Sequence, residues 1–385
     1  MSNVPLKNRY IHPFITRDLL KKMVFISGPR QSGKTTLVEN IINDQRSIYL
    51  NWDDVDGRKN ILARNWSDED EIIAFDELHK YSRWKNFLKG TYDTQKTKHK
   101  FIVTGSARLD LYKKGQDSMM GRFFSWRLHP LCLAELKHCF DYKSENVITE
   151  LLELGGFPDP FFQGDITYAK RWRNERINLV FRQDINEIEN VRDINILEMF
   201  YSMLRERVGA EIVLSNIARD LEIAPKTAKA WLSLLERTYA LFVIMPFSKN
   251  LTKAIVKTPK VYFYDNGEVE GDIGSKFENL VANHLLKKIQ FLEDATGEKY
   301  ELNYVRDRNG PEVDFLILKN RKPLLLVEAK VSDSVRSKSL YYFMEKLKIE
   351  KAVQLVLNPI KANTKDGILV ISAEEWLSQK LENSF

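Results

Sequence analysis

The sequence predicts an α/β protein: a parallel sheet with covered faces first, then a helical region, then a second α/β region. Three observations predict it. Residues 23–42 read as strand, glycine loop and helix. Two further apolar runs, Glu71–Glu77 and Lys100–Ser106, end in carboxylates or hydroxyls. Val313–Lys330 reads as a hairpin of apolar strands with charges at one end.

Met23–Ser27 is the first expected strand, and Thr36–Ile42 the helix that follows, with Leu37, Val38, Ile41 and Ile42 as its apolar positions. Between them stands Gly28-Pro29-Arg30-Gln31-Ser32-Gly33-Lys34-Thr35, a full match to the phosphate-binding pattern G-x-x-x-x-G-K-[ST]. Gly28 and Gly33 let successive backbone N–H groups turn inward on a phosphate, and the helix start adds partial positive charge. Residues Gly28 to Thr36 are therefore the expected cradle for ATP. Lys34 suits the β/γ-phosphates and Thr35 suits Mg²⁺. Asp76, ending the second apolar run, suits a Mg²⁺ ligand acting through water, and Glu77 a base that activates water. Thr104 and Ser106 are candidate sensors of the γ-phosphate.

Arg46–Asn51 and Phe123–Leu128 complete five expected strands with helices between them. Arg46–Asn51 falls between the phosphate loop and the Asp76 strand, where a simple kinase-like order has none, and reads as an inserted central strand. At 385 residues two or three domains are expected, bounded here as 1–135, 136–265 and 266–385. No apolar run approaches a membrane span, and Met1 to Lys22 lacks a signal core, so no membrane partner is expected. Cys132 and Cys139 lack metal-ligand spacing and are expected as buried thiols in a reducing cytoplasm. A net charge of +6 does not by itself indicate nucleic acid.

Leu214–Leu221 reads as a helix begun by a Ser cap, Glu222–Pro225 as a turn, and Lys226–Arg237 as a second helix with Ala230, Leu234 and Leu235 inward. Ala240–Ile244 and Lys260–Tyr264 then pair as a two-stranded wing. In this winged helix-turn-helix, Lys226, Thr227, Lys229 and Lys253 would face DNA, unless the element serves protein contacts. In the third region the hairpin turns over Lys319–Lys322. Centred on Arg321, it sets Asp314 opposite Glu328, with Lys330 on the same face. Two carboxylates sharing Mg²⁺ or Mn²⁺ beside a lysine make a phosphodiester-hydrolysis site. The same register also sets Glu312 opposite Lys330, a cross-strand salt bridge that needs no metal.

These residues together resemble a widespread group of prokaryotic AAA+ ATPases with a P-loop module, a winged helix and a C-terminal domain related to PD-(D/E)XK nucleases. The resemblance rests on the phosphate loop through Thr36, Phe75-Asp76-Glu77, Thr104-Gly105-Ser106, and Gly121-Arg122 before Leu128-His129-Pro130-Leu131. Further on it rests on Gly155-Gly156-Phe157-Pro158, Tyr264-Asp265-Asn266-Gly267 and Phe277-Glu278-Asn279. It implies Arg122 as a trans-acting or sensor arginine in a homo-oligomer, and Glu278 as the helix carboxylate of a nuclease site with Asp314, Glu328 and Lys330. Pro311 stands three residues before Asp314, not beside it as in the PD signature. The expected activity is ATP hydrolysis coupled to DNA processing or defence. The alternative is an ATP-dependent regulatory switch that binds proteins and carries a silent nuclease-like domain.

Overall fold

The computed structural model describes residues 8–43, 45–105, 119–185, 191, 193–248, 258–307, 310–332, 335–383 and 385. The chain divides into two compact units, one ending at Pro130 and the other running from Leu131 to Phe385.

The first unit holds a five-stranded sheet of β1 (Met23–Ser27), β2 (Ser47–Asn51), β3 (Ile72–Asp76), β4 (Lys100–Thr104) and β5 (Phe123–Arg127). Their order is β2-β3-β4-β1-β5, and every pairing is parallel. Helices His12–Leu19, Lys34–Ile42, Val55–Ala63 and Trp84–Gln95 provide the crossovers and cover. Both faces of β1 and β3 are buried, which is why these runs are uniformly apolar rather than alternating. Phe25, Phe75, Phe101, Trp84 and Leu88 form the core on one face.

The sequence places β2 between the phosphate loop and Asp76, but in space β2 is the sheet edge. The strand standing between β1 and β3 is β4. A crossover can reach past a neighbouring position, so chain order does not give spatial order.

The second unit begins with helices at Leu133–His138, Val147–Leu154, Pro158–Gln163, Ile166–Leu179, Ile194–Arg205, Leu214–Asp220 and Pro225–Arg237. An eight-stranded mixed sheet follows: β6 (Leu241–Pro246), β7 (Lys260–Phe263), β8 (Tyr300–Arg306), β9 (Glu312–Lys319), β10 (Lys322–Lys330), β11 (Ala352–Val356), β12 (Asn363–Lys365) and β13 (Ile368–Ser372). Its order is β12-β13-β11-β10-β9-β8-β6-β7. Helices Ile273–Thr296, Lys338–Leu347 and Ala373–Leu377 accompany it.

Several local expectations change here. Among the described residues no side chain caps the helix Leu214–Asp220, whose N-cap is Val213, not a serine. Pro225 opens the next helix rather than closing the turn, as its fixed φ and missing N–H favour. Ala230 is exposed; the inward positions are Ala228, Trp231, Leu232, Leu234 and Leu235. β6 and β7 pair antiparallel as expected, but β6 also pairs with β8, so they extend the main sheet and do not stand out as a free wing. Cys132 is buried, whereas Cys139 is only partly so. Among the described residues no helix is long and apolar enough to cross a membrane.

Candidate functional site

The carboxyl ends of β1, β3 and β4 lie side by side, with Ile26 paired to Thr104 and Phe75 to Val103. An open α/β sheet binds ligands at this edge where strand order reverses, here between β4 and β5 around β1. The loop after β1 carries the backbone that a phosphate needs. Gly28 (φ 150°) and Gly33 (φ 92°) hold conformations that side chains rarely adopt. A Cβ on Gly28 would stand 2.2 Å from the Leu128 carbonyl oxygen, so only glycine fits against the exit of β5.

Lys34 opens the helix after the loop, and its Nζ donates to the carbonyls of Gly28 (3.0 Å) and Pro29 (2.7 Å). Ser32 is fully buried, and its Oγ has no hydrogen-bond partner among the described residues. A buried arginine braces the loop: Arg9 donates to the Ser32 carbonyl at 2.6 Å and the His129 carbonyl at 2.7 Å. Sequence reading missed Arg9, because nothing in its neighbours marks an arginine before the first helix as buried.

Asp76 is the hub of the polar groups. Thr35 Oγ1 donates to its Oδ2 at 3.1 Å, and the Tyr49 hydroxyl donates to the same oxygen. The Thr104 hydroxyl and the Glu77 N–H (3.1 Å) donate to Oδ1. Tyr49 comes from β2, which pairs alongside β3, and sequence reading did not single it out. Glu77 takes a left-handed backbone (φ 53°) just after the strand. Burial lifts its carboxyl to about 7, against the pull of Lys34 and with reinforcement from Asp76. Its Oε2 lies 3.7 Å from Lys80 Nζ and 3.6 Å from His79 Nε2.

The structure thus brings Thr35, Asp76, Glu77 and Thr104 together beside residues 28–36. Ser106 lies outside the described residues. Arg122 is not part of this group. It precedes β5 at the end where Met23 begins β1, opposite the phosphate-loop end of the sheet. There it makes a two-pronged pair with Asp93, Nε to Oδ1 and Nη2 to Oδ2, each 2.8 Å.

In the second unit the β9–β10 hairpin gathers a second set of charges. Asn320 and Arg321 both have positive φ, as a tight two-residue turn demands. A bulge between Pro323 and Leu325 shifts the register by one, so that Val327 faces Phe315. Without the bulge Asp314 would face Val327; with it Asp314 comes opposite Glu328, and Ala329 N donates to Asp314 Oδ2 at 2.9 Å. Lys330 Nζ pairs with Glu328 Oε1 at 2.9 Å. Glu278, from the helix Ile273–Thr296, accepts from the Tyr262 hydroxyl at 2.6 Å. Glu312 pairs with Lys260 at 2.5 Å and Arg306 at 3.1 Å. Burial pushes Glu278 and Glu328 up to about 7, with Asp314 adding to both, and burial raises Asp314 itself. Lys260 is buried, which depresses its ammonium, but Glu278, Asp314 and Glu312 outweigh that and raise it. Among the described residues no three His, Cys, Asp or Glu side chains are grouped to hold a metal.

The remaining marks of the resemblance form a packing knot. Arg173 Nε pairs with buried Asp265 at 3.0 Å, and Arg173 Nη2 donates to the Glu153 carbonyl at 2.8 Å. Asn279 bonds Asn266 (2.9 Å) and both backbone groups of Phe263. Lys226 and Lys229 are exposed near the start of Pro225–Arg237, and Thr227 is half-buried. Lys253 lies outside the described residues.

Comparison with known proteins agrees with the first unit. Residues 20–137 match a family model described as AAA domain. Residues 145–269 and 273–376 match two models described as domains of unknown function, DUF8612 and DUF4143. An uncharacterized protein of Methanocaldococcus jannaschii is 25% identical over 390 residues, spanning 91% of this chain and 85% of its own. An uncharacterized protein of Mycobacterium tuberculosis is 21% identical, spanning 92% and 81%. Among solved structures, Aeropyrum pernix ORC1 in complex with DNA is 11% identical over 74% of this chain and 95% of its own, with a TM-score of 0.35. Thermotoga maritima RuvB is 17% identical over 60% and 88%, with a TM-score of 0.32. Likenesses of this extent establish no activity. The stretch 20–137, which carries the phosphate loop and the Asp76–Glu77 pair, is the part of the chain that is similar to AAA domains.

Proposed function

We propose that the chain is a Mg²⁺-dependent ATPase that works as a homo-oligomer in the cytoplasm and engages DNA through its second unit. The convergence of Thr35, Asp76 and Thr104 next to Glu77 at the phosphate loop carries the ATPase reading. The residues fit a phosphate and its metal: a buried Ser32 hydroxyl without a partner among the described residues, a loop closed to any Cβ at Gly28, and a lysine holding loop carbonyls. Thr35 would hold Mg²⁺ directly and Asp76 through water. Bound Mg²⁺ would neutralise charge on the β- and γ-phosphates. Lys34 would exchange its carbonyl partners for the terminal phosphates. Thr104 would fix Asp76 from the neighbouring strand. Glu77, as carboxylate, would take a proton from the attacking water. Arg122 stands too far along the sheet to serve its own loop, so it would serve a neighbouring copy's.

The exposed Lys226 and Lys229 support the DNA half of the reading. The hairpin supports a divalent-ion position of the nuclease type. Asp314 and Glu328 face each other, and Glu328 Oε2 is buried without a partner among the described residues. Oxygen ligands suit Mg²⁺ or Mn²⁺, and an ion would relieve repulsion between the carboxylates. One observation favours a second reading, a regulatory switch that binds proteins and has a silent C-terminal domain: the β6–β7 pair is built into the sheet, not free to enter a groove. ATPase rate measured alone and with single-stranded, double-stranded and branched DNA separates the two. Stimulation by any of them is expected. An unchanged rate with all three would leave the protein-binding switch.

A further inference from the structure

Four carboxylates border the hairpin site: Glu278 on its helix, Glu312 and Asp314 on β9, and Glu328 on β10. A buried ammonium sits among them. Lys260 opens β7, faces Ile244 of β6 and is only 2% exposed. Its Nζ is 2.5 Å from Glu312 Oε1, 3.5 Å from Glu278 Oε1, and 5.2 Å from the Tyr304 ring centroid. Tyr262, on the same face of the strand as Lys260, donates to that same Glu278 oxygen at 2.6 Å. The Glu278–Glu312 flank is therefore supplied with positive charge and donors by the chain itself.

The other flank differs. Glu328 uses Oε1 for Lys330, while its Oε2 is buried and has no hydrogen-bond partner among the described residues. Asp314 faces it from β9 and lies within the field of both Lys260 and Lys330. A buried carboxylate oxygen with no donor is costly and marks where a cation or donor is called for.

We propose that Lys260 is a resident cation standing in for a second metal ion, so that this cluster takes one divalent ion, between Asp314 and Glu328, and not a pair. The proposal rests on the divalent-ion reading of the hairpin site and is independent of ATP hydrolysis. Paired-metal sites hold two ions about 3.5–4 Å apart between shared carboxylates. A second ion beside Glu278 would have to lie against a lysine ammonium that Glu278 and Glu312 hold in place. Like charges at such range in a poorly solvated site repel strongly. Lysine suits the task, being a compact charge with three donors.

The test is a Mn²⁺ titration of the nucleotide-free full chain, with free ion read by electron paramagnetic resonance. The wild type should bind one Mn²⁺ per chain that Asp314→Asn loses. Lys260→Met, close in volume, should gain a second. Two ions lost in Asp314→Asn from the wild type would overturn the proposal, and that count needs no Lys260 variant to fold. So would a folded Lys260→Met protein, checked by circular dichroism, that still binds one. If the wild type and Asp314→Asn bind alike, the underlying divalent-ion reading fails instead.

Discussion

Tyr49 and Asp76, on adjacent strands, are joined by a hydrogen bond to the same carboxylate oxygen that accepts from Thr35 at 3.1 Å. With Thr104 and the Glu77 N–H on the other oxygen, Asp76 is held in place from both sides. Outer partners of this kind hold a metal-directed carboxylate in its working orientation. Tyr49→Phe should therefore weaken Mg²⁺ roughly 10–100-fold. Hydrolysis at saturating Mg²⁺ should change little. The check is the Mg²⁺ dependence of ATPase rate, and equal half-saturation in both proteins would remove Tyr49 from the site.

Glu77→Gln should bind ATP and hydrolyse it about 10²–10⁴ times more slowly, the usual contribution of a general base. Lys34→Ala should lose turnover through lost contact with the terminal phosphates. The base acts as carboxylate, and burial lifts its carboxyl to about 7. kcat/KM for ATP should therefore rise as pH increases through about 7 and flatten above it. That rise should disappear in Glu77→Gln; if it persists, another group is titrating.

Gly155 has φ 80°, and a Cβ there would come within 1.9 Å of Asp265 Oδ1. That carboxylate is fully buried and paired with Arg173. Gly155→Ala would drive the pair apart, and breaking a buried pair costs about 3–5 kcal/mol. Urea denaturation should show the loss in the second unit while ATP binding by folded protein stays intact. A shift under about 0.5 kcal/mol, the level of a neutral surface change, would mean the backbone there relaxes freely.

Arg122 is already paired with Asp93 on the helix Trp84–Gln95. If it completes a neighbour's site, specific ATPase activity should climb with protein concentration. Arg122→Ala should then lose about 10³-fold or more in rate with ATP affinity kept. Sedimentation showing a fully active monomer at every concentration would reduce Arg122 to a partner for Asp93.

The central strands of the first unit were legible because a parallel sheet buried on both faces leaves uninterrupted apolar runs such as Met23–Ser27. The phosphate loop was legible because its glycines answer a backbone need that sequence displays. Strand order was not read, although β2 carries hydroxyl- or amide-bearing Ser47, Tyr49 and Asn51 at alternate positions, as an edge strand does, whereas β4 keeps Phe101–Val103 apolar. The facing of Asp314 and Glu328 was read from a turn centred on Arg321; the chain reaches it through a bulge at Leu324 that no local signal announced. Lys260 was invisible as part of that site, because it arrives from a strand far away in sequence and reads locally as one more strand lysine. Arg9 and Tyr49 share that limit: their partners are backbone carbonyls or a carboxylate contributed by distant elements.

The joining of β6 to β8 has a mechanical consequence. The helix Pro225–Arg237 runs almost directly into β6, the last two residues of β6 pair with β8, and β8 pairs with β9, which carries Asp314. Hydrogen-bonded strands resist shear far better than a tethered arm does. The helix that carries Lys226 is thus joined to the sheet by a strand and not by a long linker. The helix is thereby continuous, through backbone hydrogen bonds, with the strand that carries Asp314.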